Sequence, residues 1–485
     1  MSKFYEIVGF PDKVEVRHDV QHIADNEPDV WNLYILALDK IMKMDESQLT
    51  SYFQISAIHG LPHIPWDNVG DQVDDGYCAH RTVVFPTWHR VYMLLFEQVL
   101  QKEAVAIAEQ YTDTKARDVF RKAAQRFRLP YWDWAASPEL PPKLFDEKIT
   151  VSLPPLANQT QIDNPLYTYR FQNNTATSYG FHEPFTVWAE TIRNPPNAAK
   201  PNVNDKSQPD RLQQQLRAQH RQLRARVYNM LMFTDSWEGM SNAVQGGSAS
   251  SLEGVHDTVH VILGDGGHMG NVPVAAFDPI FWYHHANVDR LLALWQALNP
   301  DSRVPSGSGP NEKSELTPFH IDNSTFWTSD KTYDGRAVGN RYPEYPAEDV
   351  SSAELKEIVR DHVEKLYGPK FKTSGVARIA TSTTDEPEQT SLTNNYRDWV
   401  VNISINTDEY PRSGYVHVFL CKGEPKGNPI DWLTHEDEVG VVAIFKNESK
   451  LCANCNRLSA ENVKINGQVF LTGNITVLTS PTRYV

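Results

Sequence analysis

Two groups of histidine carry the chemistry this chain offers: His59, His80 and His89 near its start, and His256, His260 and His285 near its middle. Imidazole sets of this kind suit copper, iron, nickel or zinc, and two sets in one chain point to two ions acting on one substrate. His256 and His260 are four apart in a stretch free of Gly and Pro after Gly254, so a helix would set both on one face. That spacing is weak alone, because His18 and His22 share it in a charged, Pro-flanked stretch, and His59 and His63 share it across Gly60 and Pro62. Neither of those reads as a ligand pair. Adjacent His284 and His285 would point about 100° apart on a helix, so one of them faces a given ion. Asp289 lies one turn beyond His285, where a carboxylate can hold a ligating imidazole by its other nitrogen. His284 is followed by Val288 and Leu291, which suits packing, and the spacing therefore favours His285.

The elements that must position these residues are mainly helical up to the middle of the chain. Apolar spacing of three and four marks Asn32 to Met44 (Leu33, Leu36, Ala37, Ile41) and Trp88 to Glu109 (Val91, Leu94, Leu95, Val99). His89 opens the second of these, with Glu97 two turns along. Leu291 to Leu298 continues the His284-His285 segment as an apolar helix. Arg211 to Met232 is charged with few large apolar residues, which predicts a helix mostly open to water. Pro138 to Pro155 and Pro195 to Pro209 read as loops, and Pro300 to Pro318 is a further break. A Ser/Thr-rich run over 373–395 reads as a linker. Beyond it the period becomes two: Trp399, Val401, Ile403 and Ile405 alternate with polar neighbours, as do Tyr415, His417 and Phe419. Val439 to Phe445 and Gln468 to Leu478 extend the pattern, with Asn466-Gly467 as a hairpin turn. The expected fold is mainly α: a helical bundle over 1–372, the linker, and a small β-domain over 396–485.

A formal net charge of −15 over 485 residues argues against nucleic acid or an anionic membrane as partner. Met1 to Phe10 lacks the apolar core of a secretory signal, and no run approaches the roughly 20 apolar residues of a membrane span. The expected location is intracellular, with the four cysteines reduced. In that setting the sequons at Asn158, Asn173, Asn323, Asn402, Asn447 and Asn474 carry no sugar.

Around the histidines stand Ile58-His59-Gly60, Gly76-Tyr77-Cys78-Ala79-His80, Phe85-Pro86-Thr87-Trp88-His89-Arg90 and Pro130-Tyr131-Trp132-Asp133-Trp134. Further on come Glu253-Gly254-Val255-His256 with His260, and Asp278-Pro279-Ile280-Phe281 through His284-His285 to Asp289-Arg290. In order and spacing these pieces resemble the tyrosinases and polyphenol oxidases of the type 3 copper family, in their fungal form. The resemblance implies one copper on His59, His80 and His89 and a second on His256, His260 and His285. It implies O2 as co-substrate, ortho-hydroxylation of monophenols and oxidation of o-diphenols to o-quinones. It also implies a thioether between Cys78 and His80. Glu253 matches a residue that, with the one after His256, helps deprotonate a monophenol; here that neighbour is Asp257, where asparagine accompanies strong monophenol activity.

Val272 falls where the resemblance implies a gate above the second copper, and it is small. His268, in the same loop, is expected to line the entrance or to face solvent. The β-domain resembles the lid of latent fungal relatives, and its end at Val485 is read as a short lid or a trimmed chain. Its Cys452 and Cys455 match a pair associated with copper delivery; a disulfide or half a zinc site are the other readings of that pair. Asn340-Arg341-Tyr342 matches the motif closing the catalytic domain without its first aromatic. Three alternatives stay open: a catechol or o-aminophenol oxidase with little monophenol activity, a haemocyanin-type O2 carrier, and a zinc protein.

Overall fold

A computed structural model describes residues 3–10, 13–70, 76–172, 175–178, 180–244, 250–307, 309–333, 339–369, 399–446 and 463–471. The residues expected as linker, 373–395, lie outside these, as do Cys452 and Cys455. In chain order the elements are β1 (Glu15–Val16), α1 (Val20–Asn26), α2 (Pro28–Lys43), α3 (Tyr52–Ala57), α4 (Phe85–Ala108), α5 (Thr114–Arg126), β2 (Lys148–Leu153), β3 (Asn158–Asp163) and α6 (Thr175–Ser178). There follow α7 (Pro209–Phe233), α8 (Trp237–Ser241), α9 (Leu252–Gly264), α10 (Ile280–Leu298), β4 (Glu315–His320), β5 (Phe326–Thr328), β6 (Asn340–Arg341) and α11 (Ser352–Tyr367). The chain ends in β7 (Val400–Asn406), β8 (Gly414–Phe419), β9 (Glu438–Ile444) and β10 (Lys464–Phe470). Among the described residues no helix is long and apolar enough to cross a membrane.

The bundle forms because α4, α9 and α10 are apolar on nearly every side and can only be satisfied by full burial. α2 and α10 flank α4, and α9 packs on α7 and α10. Local signals set their ends. Pro86 and Pro28 sit in the first turns of α4 and α2, where a missing N–H costs nothing. The Ser251 hydroxyl caps α9 by accepting from Gly254 N, and Asp265 ends it in the left-handed conformation.

Three sequence expectations change. α7 is not mostly open to water: Leu212, Leu216, Leu223, Val227 and Met230 are buried, and so are Gln219, Gln222 and Arg226. Gln222 and Arg226 face the backbones of the terminal β-strands, and Gln219 donates to Leu433 O (3.2 Å) and Glu438 Oε2 (2.8 Å). Gln222 donates to Val439 O (2.5 Å) and Phe470 O (2.7 Å), and Arg226 donates to Val441 O, Gln468 O (2.7 Å) and Thr258 Oγ1 (3.0 Å). Asn466-Gly467 is not a turn but lies inside β10, where Gly467 pairs with Ile403 of β7. A Cβ on Gly467 would come within 2.3 Å of Val442, so the glycine serves close packing of β10 on β9. Finally, part of the Pro138 to Pro155 loop is strand: β2 pairs antiparallel with β3, with Ile149 and Val151 buried.

Candidate metal centre

The first histidine set is assembled from a helix end, a loop and a helix start. His59 follows α3, and the turn after it docks so closely that a Cβ on Gly60 would sit 2.6 Å from Pro273. Its Nδ1–H donates to Val272 O (3.1 Å), while its buried Nε2 has no hydrogen-bond partner. His80 sits on a loop whose next residue, Arg81, has a positive φ of 59° and donates its backbone N–H to Glu253 Oε1 (2.6 Å). His89 lies in the first turns of α4 and gives its Nδ1–H to Phe85 O (2.8 Å). Cys78 Sγ lies 3.2 Å from His80 Nδ1 and 3.3 Å from His89 Nε2.

The second set comes from two buried helices. On α9, His260 donates from Nδ1 to Met269 O (2.9 Å) and His256 from Nδ1 to Asp257 Oδ1 (2.9 Å). On α10, His285 Nε2 meets His256 Nε2 at 3.2 Å and His260 Nε2 at 3.0 Å. Two of these nitrogens have already placed their proton on the far side of the ring. Their lone pairs therefore face one another across a gap near the roughly 3.3 Å that separates two imidazole nitrogens on one tetrahedral ion. The donor set fits a metal, and its all-imidazole chemistry fits copper. The rings of His89 and His285 stack at 4.7 Å, which brings the two sets face to face.

His284 is also close enough to count with the second set. Its Nδ1, however, accepts from Trp134 Nε1–H (3.1 Å), so in the neutral ring Nε2 holds the proton and no lone pair points inward. That tautomer favours His285 as ligand. Asp289, expected beside His285, does not touch it. Its carboxylate accepts instead from Arg90 Nε, Arg17 Nη1 (2.7 Å) and Tyr342 OH (2.6 Å). Two buried guanidiniums claim the oxygens that an imidazole would need. Glu97 takes the other arm of Arg17 (2.7 Å), and Asn340 donates to Glu97 (3.3 Å), so the imperfect Asn340-Arg341-Tyr342 motif still closes this network.

Burial governs the electrostatics. It holds His59 down to about 4, and holds His80, His89, His256, His260 and His285 well below the ordinary imidazole range, so all are neutral lone-pair donors near neutrality. Burial also lifts Glu253 to about 7, opposed by the N–H groups of Arg81 and Ala243, and raises Asp257 well above the carboxylate range, helped by Glu253. It pushes the Cys78 thiol up as well, so the sulfur keeps its proton.

One sequence expectation about the entrance differs from the structure. His268 neither lines it nor faces solvent: it is buried among Phe171, Phe185 and Trp188, with Nδ1 accepting from Ile192 N (3.0 Å). Val272 is buried too, and its carbonyl is the group that holds His59. Sequence reading missed Phe445, just past β9, whose ring stacks on His260 at 4.5 Å and 17°. Arg81 reaches the same cover, donating to Thr407 Oγ1 (3.3 Å) and Phe445 O (3.4 Å). A strand-end phenylalanine carries no chemical signal, and only the docking of β9 on α9 reveals it.

Two facing imidazole sets in a helical bundle, with an aromatic lid above them, define a dinuclear copper protein of the type 3 class. Residues 49–298 match the common central domain of tyrosinase and residues 398–482 the tyrosinase C-terminal domain. The chain belongs to the tyrosinase family. It is 32% identical to polyphenol oxidase 3 of Agaricus bisporus over 93% of this chain and 81% of that one, and 31% identical to tyrosinase of Podospora anserina over 94% and 92%. Among solved structures it is similar to recombinant mushroom tyrosinase, with a TM-score of 0.81 and 30% identity over 99% of this chain and 88% of that one.

Proposed function

We propose that the chain oxidises phenols with O2 at two coppers held by His59, His80 and His89 and by His256, His260 and His285, hydroxylating monophenols at the ortho position and converting o-diphenols to o-quinones. The observation that carries this is the convergence of neutral, backbone-oriented imidazoles on one buried space. Copper, when bound, supplies the electron pair and the open coordination positions that O2 reduction requires. The protein's part is to hold the ligand tautomers, exclude water and accept a proton. Glu253, poised near 7, is suited to take the phenol proton at neutral pH. Glu253 is held in place by the backbone N–H groups of Arg81 and Ala243, and Asp257, through Oδ1, by His256 Nδ1. Val272, being small, leaves room for a ring.

Phe445 occupies the approach to the second set, so the intact chain reads as a latent form. The cover rests on buried polar contacts between α7 and the terminal strands, which water can replace once the strands leave. Oxygen uptake by copper-loaded protein, with a monophenol and its matching catechol, tests the reading. Uptake is expected to be low in the intact chain and to rise after limited proteolysis within 373–395. Failure to turn over either substrate before and after cleavage overturns it. Turnover of catechol alone leaves a catechol or o-aminophenol oxidase.

A further inference from the structure

We propose that His18, His22 and Glu27 form a third metal site, remote from the paired centre, that takes a divalent transition ion of the zinc type. His18 precedes α1, His22 lies within it and Glu27 closes it, so one short helix carries the whole set. Each histidine presents its Nε2 to the same carboxylate oxygen: His18 at 3.7 Å and His22 at 3.8 Å from Glu27 Oε1. The two rings stack at 4.3 Å with 20° between their planes. Nitrogen and oxygen ligands of one tetrahedral ion stand about 3.3 Å apart, so each Nε2 needs to approach Glu27 Oε1 by only about half an ångström; the three ligand atoms already lie within 4.8 Å of one another, and the stacked rings turn to bring their lone pairs together.

The surroundings favour the ligand role. Arg126 Nη1 holds the other oxygen, Glu27 Oε2 (3.4 Å), which orients the carboxylate and leaves Oε1 for the ion. Asn26 Nδ2 lies 3.5 Å from His22 Nδ1, the ring nitrogen on the side away from Glu27. The backbone beneath is fixed: Tyr131 N donates to His18 O (3.1 Å), Val20 N donates to Tyr131 O (2.7 Å), and Asp19 caps the helix. Both rings are partly open to water, which would complete the coordination shell. The Pro-flanked pair that spacing alone dismissed thus gains a third ligand that spacing could not supply.

The test uses full-length, copper-loaded protein titrated with Zn(II), followed by calorimetry and by metal analysis after gel filtration. Wild type is expected to hold one zinc per chain more than His22→Ala, and Glu27→Gln is expected to weaken that zinc at least tenfold. The thermal midpoint should rise with zinc in wild type and stay put in His22→Ala, with catechol oxidation the same in both. His22 is half exposed and alanine favours helix, so the variant keeps its fold. Equal zinc in wild type and His22→Ala, or zinc affinity untouched by Glu27→Gln, overturns the proposal.

Discussion

The two imidazole sets meet in one space, yet they are built by different means. The second is set by helix geometry: His256 and His260 share a face of α9, and His285 faces them from α10, both helices being buried along their length. The first takes one ligand from a helix end, one from a loop and one from a helix start. Its props are therefore outside its own elements: Val272 O for His59, the Arg81–Glu253 contact beside His80, and Cys78 between His80 and His89. A regular helix orients ligands through repeat alone, whereas a loop ligand needs a specific contact to fix it.

Acid tests what the sets share and should give the largest effect. In copper-free protein the folded-state values of these histidines lie below the unfolded value near 6.5, so the unfolded chain binds more protons as pH falls. Their contribution to stability is present above about 6.5 and is lost on going down toward about 4 for His59, at roughly 1.4 kcal/mol per pH unit for each histidine. Glu253 runs the other way. Its raised value contributes stability below the ordinary carboxylate range, and this is lost as pH rises through about 7. Urea unfolding of copper-free protein at a series of pH values should show the steep acid loss, and copper should suppress it. An acid-insensitive copper-free protein would mean that the imidazoles are already protonated or solvated.

The tie between the sets comes next. Arg90 follows His89 on α4, and Asp289 lies one turn past His285 on α10, so their ion pair joins a ligand helix of one set to that of the other. Arg17 binds the same carboxylate from the N-terminal segment. Asp289→Asn leaves buried Arg90 without its charge partner and Arg17 with Glu97 alone, and should cost about 3–5 kcal/mol in unfolding free energy. A loss under about 1 kcal/mol would show that the two sets hold their relative place without it.

The second set was legible because its histidines obey a repeat, four apart on one helix, whereas the flanking Asp289 used to prefer His285 over His284 meets other partners. Trp134 adds to that choice from far away in sequence, as a donor that no spacing rule anticipates. Asp289 was placed correctly on its helix but given the wrong partner, because Arg17 and Arg90 arrive from elements that only tertiary packing brings near. α7 misled for a related reason. A polar helix face reads as solvated unless the strands that meet Gln219, Gln222 and Arg226 are known. Phe445 is the extreme case, an ordinary apolar strand residue whose role comes entirely from where its strand docks.

The smallest effect isolates the difference between the sets. Cys78 belongs to the first alone, and its sulfur stands within 3.3 Å of ring nitrogens on both His80 and His89. A thioether to His80 would tether a loop ligand covalently, and the intact protein would then be lighter by two hydrogens. Cys78→Ala is expected to lower affinity for one copper by about 10–100-fold, the range for loss of a group that orients a ligand, and to leave the other copper unchanged. Copper titration followed by mass spectrometry reads both effects. Equal weakening of both coppers would mean that the sets are a single cooperative unit, and the contrast between helix-built and contact-built halves would fail.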